Sequence, residues 1–166
     1  MISHATLIPQ QAHDLKRGID YIGVTVVFYC HDGAGRLLLH KRSAACRDEQ
    51  GRWDVGGGSM EFGETFEEAV RREVREEYGV EPLSVVYAAT TNVLREHEGR
   101  VTHWVANVFA AHVPKNARIC DSEKMDEIGW FTPEALPKPL HSCFHRHFVL
   151  VREHLLNNDA THSHTC

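Results

Sequence analysis

The residues with the clearest chemical potential lie in "RREVREEYGV", Arg71 to Val80, where three Glu and three Arg fall within the seven positions 71–77. On a helix, side chains three and four residues apart are neighbours, and opposite charges at that spacing stabilise each other. Glu73 breaks the pattern, because its neighbours by that count are Ala69, Val70, Glu76 and Glu77. Like charges one turn apart cost a few tenths of a kcal/mol. Carboxylates beside an apolar stripe, here Val70, Val74 and Tyr78, also lose hydration. A solvated acidic helix edge is the bland alternative. A hard divalent cation taking oxygen ligands would remove both costs, and Mg²⁺ is the first candidate with Mn²⁺ as substitute.

The segment upstream fits the same chemistry. Thr65 is a natural N-cap with Glu68 three residues on, which makes a capping box, and Gly79 can take the left-handed conformation at the far end. The spacing therefore predicts a helix over about Phe66–Tyr78. Arg71, Arg72, Arg75 and Glu68 are expected on its solvent side, with Glu67–Arg71, Glu68–Arg72 and Arg72–Glu76 as pairs. "GGGSMEFGE" (Gly56–Glu64) leads into its N-terminus, where free N–H groups and the helix dipole attract anions. A glycine loop beside uncompensated carboxylates points to diphosphate chemistry with a metal between.

The elements that must position these groups can be sketched from pattern. "YIGVTVVFYC" and "RLLLHKR" form a hairpin around "HDGAG". "WDVGGGSM" is too glycine-rich for a plain strand and implies close backbone approach. Strands follow at about Leu83–Leu94 and Val101–Val113, then a short strand at "EIGWF", a helical turn at "PEALP" and a helix over His141–Leu156. The mixture lacks βαβ regularity, so the fold class is α+β, a mixed sheet with helices on its faces. With 166 residues the chain suits one domain at residues 19–156, an N-terminal extension at 1–18 and a flexible tail at 157–166.

Bulk properties narrow the partners. A net charge of −5 argues against nucleic acid and anionic membranes, and no apolar run approaches a membrane span. The N-terminus lacks the order of a signal peptide, and five scattered cysteines without Cys-x-x-Cys suit a cytoplasmic protein with reduced thiols. Among 13 histidines, His141 and His145 would stand one helical turn apart, as would Cys143 and His147. No second Cys/His cluster completes a zinc site, so an ordinary amphipathic helix is preferred.

Beyond these readings, "GSMEFGETFEEAVRREVREEYGV" (Gly58–Val80) resembles the Nudix box at each fixed position: Gly58, Glu64, Arg72, Glu73, Val74, Glu76, Glu77, Gly79 and Val80. The likeness is to MutT-type Nudix hydrolases and extends over about Tyr21–Leu156. It implies an α/β/α sandwich and cleavage of a nucleoside diphosphate linked to another group. It also implies Mg²⁺ on Glu73, Glu76 and Glu77 with the Gly57 carbonyl, Glu64 and Arg72 bracing the loop, and a late acidic ligand or base, Glu127 first and Glu123 second. One departure is Gly56, where the family commonly has proline.

Within the family, the markers of ADP-ribose, dinucleoside polyphosphate and coenzyme A enzymes are absent. Glu96, His97 and Glu98 stand where the first two would show Pro and Tyr. The resemblance therefore favours a (d)NTP pyrophosphatase releasing a monophosphate and pyrophosphate, with ADP-ribose or nucleotide sugars as the alternative. A nucleotide-sensing protein without catalysis is a further reading, disfavoured because all box glutamates are present. Trp53, His103, Trp104 and Trp130 are candidates to stack on a base. Arg42 and Lys41 could reach phosphates. A homodimer, common among these enzymes, is compatible with the sequence.

Overall fold

The computed structural model describes residues 15–97 and 99–155. Residues 1–14 of the expected extension, Glu98, Leu156 and the expected tail lie outside the described residues. Among the described residues, seven strands form one mixed sheet: β1 (Gly23–His31), β2 (Leu37–Arg42), β3 (Trp53–Asp54), β4 (Gly56–Ser59), β5 (Ser84–His97), β6 (Arg100–His112) and β7 (Met125–Phe131). The helices are α1 (Phe66–Tyr78) and α2 (Phe144–Val151). The sheet runs β3-β2-β1-β6-β5, with β4 also on β1 and β7 also on β2. β1 and β6 are parallel from Gly23↔Trp104 to His31↔His112, whereas β5 and β6 form a long antiparallel hairpin.

Alternation along β1 builds the layers. Val26, Phe28 and Cys30 face one core with Val70, Val74 and Tyr78 of α1. Val27 and Tyr29 face the other, with Val108, Phe144 and Val151. Successive strand side chains point to opposite faces, so one strand supplies both cores. The result is the expected sandwich, a mixed sheet between helices. Burying a side chain such as Val74 stabilises by roughly 1.5–3 kcal/mol. On the α2 side, the Tyr29 hydroxyl donates to the Phe144 carbonyl at 2.6 Å.

Two expectations need correction. β1 and β2 register only at Cys30↔Leu38 and His31↔Leu37, because β4 takes the rest of that edge at Thr25–Phe28. The glycine segment is thus a strand as well as a close approach. The C-terminal helix begins at Phe144, so His141 is not on it. His141 instead lies beside Glu49 (3.4 Å) and Asp54 (3.8 Å), and the one-turn spacing with His145 does not arise. At the other end, the Gly18 carbonyl accepts from the His103 N–H at 2.8 Å and Arg17 donates to the Met60 carbonyl at 2.8 Å.

Candidate active site

α1 forms where its caps require. Thr65 accepts from the Glu68 N–H while the Glu68 carboxylate accepts from Thr65, and Gly79 closes the helix at φ 67°. An N-cap of this kind is worth about 1 kcal/mol. Between the caps, Glu73 and Glu77 are four residues apart and buried, facing β4. The glycines of β4 make this approach possible. A Cβ at Gly58 would collide with the Glu73 carboxyl; one at Gly56 would collide with the Phe28 ring and stand 2.8 Å from Glu77 Oε2.

That geometry accounts for Gly56 where proline is common, since the fully buried Phe28 ring takes the space of any Cβ there. Gly56→Ala is expected to lower the unfolding free energy by about 1–3 kcal/mol through overpacking. Urea melts should also show Gly56→Ala with Phe28→Leu losing less than the sum of the two single changes, because the residues touch.

The carboxylates are less free of cations than helical spacing suggests. Arg72 turns inward rather than to solvent. Its Nη1 lies 2.7 Å from Glu73 Oε1 and 3.3 Å from Glu76 Oε2. Nε and Nη2 grip Glu64 at 3.0 and 2.8 Å, and Nη2 also donates to the Ser59 carbonyl at 3.1 Å. The Glu73 contact is between adjacent residues, which a count of three and four cannot find. Glu68 is taken by the cap, so its expected pair with Arg72 does not form. Hydrogen bonding to Glu64 raises the Arg72 pKa against the effect of burial, and the same bond lowers that of Glu64.

Glu77 differs from its neighbours. It is 2% exposed, and its Oε2 has no hydrogen-bond partner. Burial first, and the charge of Glu73 second, push its carboxyl well above the usual range, against a hydrogen bond from Gly57 and the charge of Lys124. Among the described residues no three His, Cys, Asp or Glu side chains converge as ready metal ligands. Arg72 holds two of the three glutamates away from such an array.

A cavity of about 460 Å³ opens beside Glu77 and Gly56–Ser59, floored by Thr25, Val27 and Tyr29 of β1. Arg42 lines it, as does Lys124, whose ammonium pairs with Asp121 at 3.1 Å. Arg42 is already engaged with Asp48 at 2.9 Å and Asp54 at 3.5 Å. Burial raises the Asp54 pKa, opposed by His141 and Arg42. Nearby, Glu49 accepts from the Ser142 N–H at 2.8 Å and its hydroxyl at 2.6 Å, tying the loop after β2 to the segment that leads into α2.

Of the residues expected from sequence, Gly57, Glu77, Arg42 and Trp104 line this cavity. Glu64, Arg72, Glu73 and Glu76 form the network behind it. The remaining expectations fall elsewhere. Trp53 is buried edge-on to Phe131, Trp130 lies under the Arg36 guanidinium, and the His103 ring faces Asn92 at 3.3 Å. Lys41 stands opposite Trp53 on one side and Glu127 on the other. Glu127 is exposed on β7, and Glu123 contributes only a carbonyl, to the Ser43 hydroxyl. Strand alternation and a turn, invisible in linear spacing, bring Lys124 to the site in their place. Asp54, His40 and Arg95, also missed, reach it only because β3, β2 and β5 are folded around it.

Comparison with known proteins supports the likeness seen in the box. The family model described as NUDIX domain matches residues 21–151. The chain is 32% identical over 139 residues to mouse (Mus musculus) 8-oxo-dGDP phosphatase NUDT18, covering 79% of this chain and 38% of that protein. It is 36% identical over 107 residues to CTP pyrophosphohydrolase of Escherichia coli (strain K12), covering 64% and 74%. The chain thus spans under two-fifths of NUDT18. The crystal structure of a MutT NUDIX hydrolase from Burkholderia pseudomallei superimposes with a TM-score of 0.69 at 29% identity, over 79% of this chain and 98% of that one. With a full box, a sandwich that brings Glu73 and Glu77 against a glycine strand, and a family match over most of its length, the chain belongs to the Nudix family.

Proposed function

We propose that this chain is a divalent-metal-dependent pyrophosphohydrolase of nucleoside triphosphates, converting a (d)NTP to a monophosphate and pyrophosphate. The observation that carries this reading is Glu77, a buried carboxylate with an orphaned oxygen, on the wall of a nucleotide-sized cavity bordered by Gly56–Ser59. Relatives acting on nucleotides, CTP pyrophosphohydrolase and 8-oxo-dGDP phosphatase by name, support it.

The donor set fits Mg²⁺ or Mn²⁺. An unpartnered buried carboxylate oxygen favours a hard cation, with Glu73, Glu76 and the Gly57 carbonyl as the other expected ligands. When bound, such an ion neutralises the diphosphate and lowers the pKa of a coordinated water. The chain's own groups do the rest. Glu64 and Arg72 hold the loop to the helix, and Lys124 offers the diphosphate a positive wall. Glu76, with its side chain 56% exposed and so reachable from solvent, is assigned the role of proton acceptor. The water oxygen bonds to phosphorus, the anhydride bond to pyrophosphate breaks, and the water proton passes to the carboxylate.

A panel of (d)NTPs, 8-oxo-dGDP, ADP-ribose, nucleotide sugars and dinucleoside polyphosphates with Mg²⁺ tests the reading. A triphosphate is expected to give the highest kcat/KM with pyrophosphate as product. Preference for ADP-ribose over each triphosphate would overturn the substrate choice, and no turnover of any of them would overturn the activity.

A further inference from the structure

Three tryptophans occur in the chain, and only Trp104 reaches the cavity. Its setting is unusual for a packing residue. A Cβ at Gly18 would collide with Cε2 and Nε1 of its indole, and one at Gly23 with Cε3 and Cζ3. Gly23 is the direct partner of Trp104 in the parallel β1–β6 register, and Gly18 is held beside β6 by its bond from His103. Two glycines, one at each end of the bicyclic ring, leave a bed for the whole indole against bare backbone. Trp104 is not fully buried, and it lines the cavity together with Thr25, Val93, Arg95 and Thr102.

We propose that Trp104 is the platform on which the base of the nucleotide substrate stacks, so that it determines specificity for an aromatic base, bicyclic purines ahead of pyrimidines. The inference rests on the nucleotide reading above. A substrate whose diphosphate lies at Gly56–Ser59 and Lys124 must place its base in the remaining cavity, where an anchored π-face is available. Stacking strength grows with overlap, and a purine covers more of an indole than a pyrimidine does. Binding through a face rather than an edge tolerates different bases, and stacking is worth roughly 10- to 100-fold in affinity when its aromatic partner is removed.

The test is equilibrium titration with GMP, CMP and ribose 5-phosphate, read by tryptophan fluorescence and calorimetry in wild type, Trp104→Phe and Trp104→Leu. GMP is expected to quench wild-type fluorescence more than CMP does, ribose 5-phosphate not at all, and the quench to vanish in Trp104→Phe. Trp104→Leu should lose roughly 10- to 100-fold in GMP affinity, with ribose 5-phosphate affinity unchanged. Equal quenching by GMP and ribose 5-phosphate, or wild-type GMP affinity in a folded Trp104→Leu, would overturn the platform. CMP binding as tightly as GMP would overturn the purine preference. Should Trp104→Leu fail to fold, the comparison of ligands in wild type and Trp104→Phe decides. Wild-type turnover of nucleotides with Trp104 silent refutes only the platform, while absence of all nucleotide turnover refutes the reading it rests on.

Discussion

Replacing Glu77 by Gln is expected to stabilise the protein in the absence of divalent metal and to silence it in their presence. The carboxylate is buried, one oxygen has no partner, and the also buried Glu73 is the acidic group that acts on it most strongly. A buried group without its hydrogen bond costs about 1–3 kcal/mol, more when charged. An amide keeps the shape, can still accept from the Gly57 N–H, and removes the charge. Melting in EDTA at pH 7.5 should therefore show Glu77→Gln more stable by roughly 1–3 kcal/mol. Turnover with Mg²⁺ should fall by roughly 10²–10⁴-fold, because a bound metal supplies several kcal/mol of transition-state stabilisation and a neutral amide is a weaker ligand than a carboxylate. Undiminished hydrolysis would refute the assigned role. A destabilised variant would mean that the charge is compensated in the free protein, with Lys124 as the cation to examine.

Acidification should weaken the metal-free fold well before carboxylates in general are titrated. His31, His40 and His147 are buried, with pKa values lowered from 6.5 to about 4, about 3 and about 4. Burial is the first cause in each, and neighbouring positive groups add to it. The sign follows from proton uptake. Below pH 6.5 the unfolded chain binds protons at these rings and the folded chain does not, so stability falls as pH falls. Glu77 acts in the opposite direction, because its raised pKa makes the folded state the better proton binder above about 4.5. Each unfolded histidine is between half and nine-tenths protonated from pH 6.5 to 5.5 and so contributes about 1 kcal/mol; three histidines outweigh one glutamate, and the net loss over that range is roughly 1.5 kcal/mol. Urea melts in EDTA measure it. His147→Leu, which removes a ring whose Nε2 has no partner, should flatten the slope by more than half, because the remaining two histidines are partly offset by Glu77. A level profile between pH 7 and 5 would show that the rings take protons in the folded state.

Local features were legible in the sequence wherever they depended on neighbours along the chain. The limits of α1 matched at both ends because Thr65, Glu68 and Gly79 act within one turn. The β5 and β6 pairing was visible as two polar–apolar runs around a short turn. Strand identity along "WDVGGGSM" was not, because glycine carries no periodicity and the pairing partner is β1, some thirty residues earlier. The sequence pattern also draws His141 into a helix that starts three residues later, since composition marks a helix better than it marks its first residue.

The candidate site divides the same way. By itself, the sequence determined that Glu73, Glu76 and Glu77 fall within one helical period of α1, and it determined the family through the box. Only the tertiary structure decided what faces them. Arg72 reaches Glu73 across adjacent positions because the Glu64 loop draws its guanidinium inward. Lys124, not Glu127, meets the cavity because the turn before β7 directs it there. Trp104, not Trp53 or Trp130, lines the cavity because Gly23 and Gly18 leave its ring a place to lie. Spacing along a chain records interactions within a turn or a strand, whereas a cavity is made by elements far apart in sequence whose sides are set by packing.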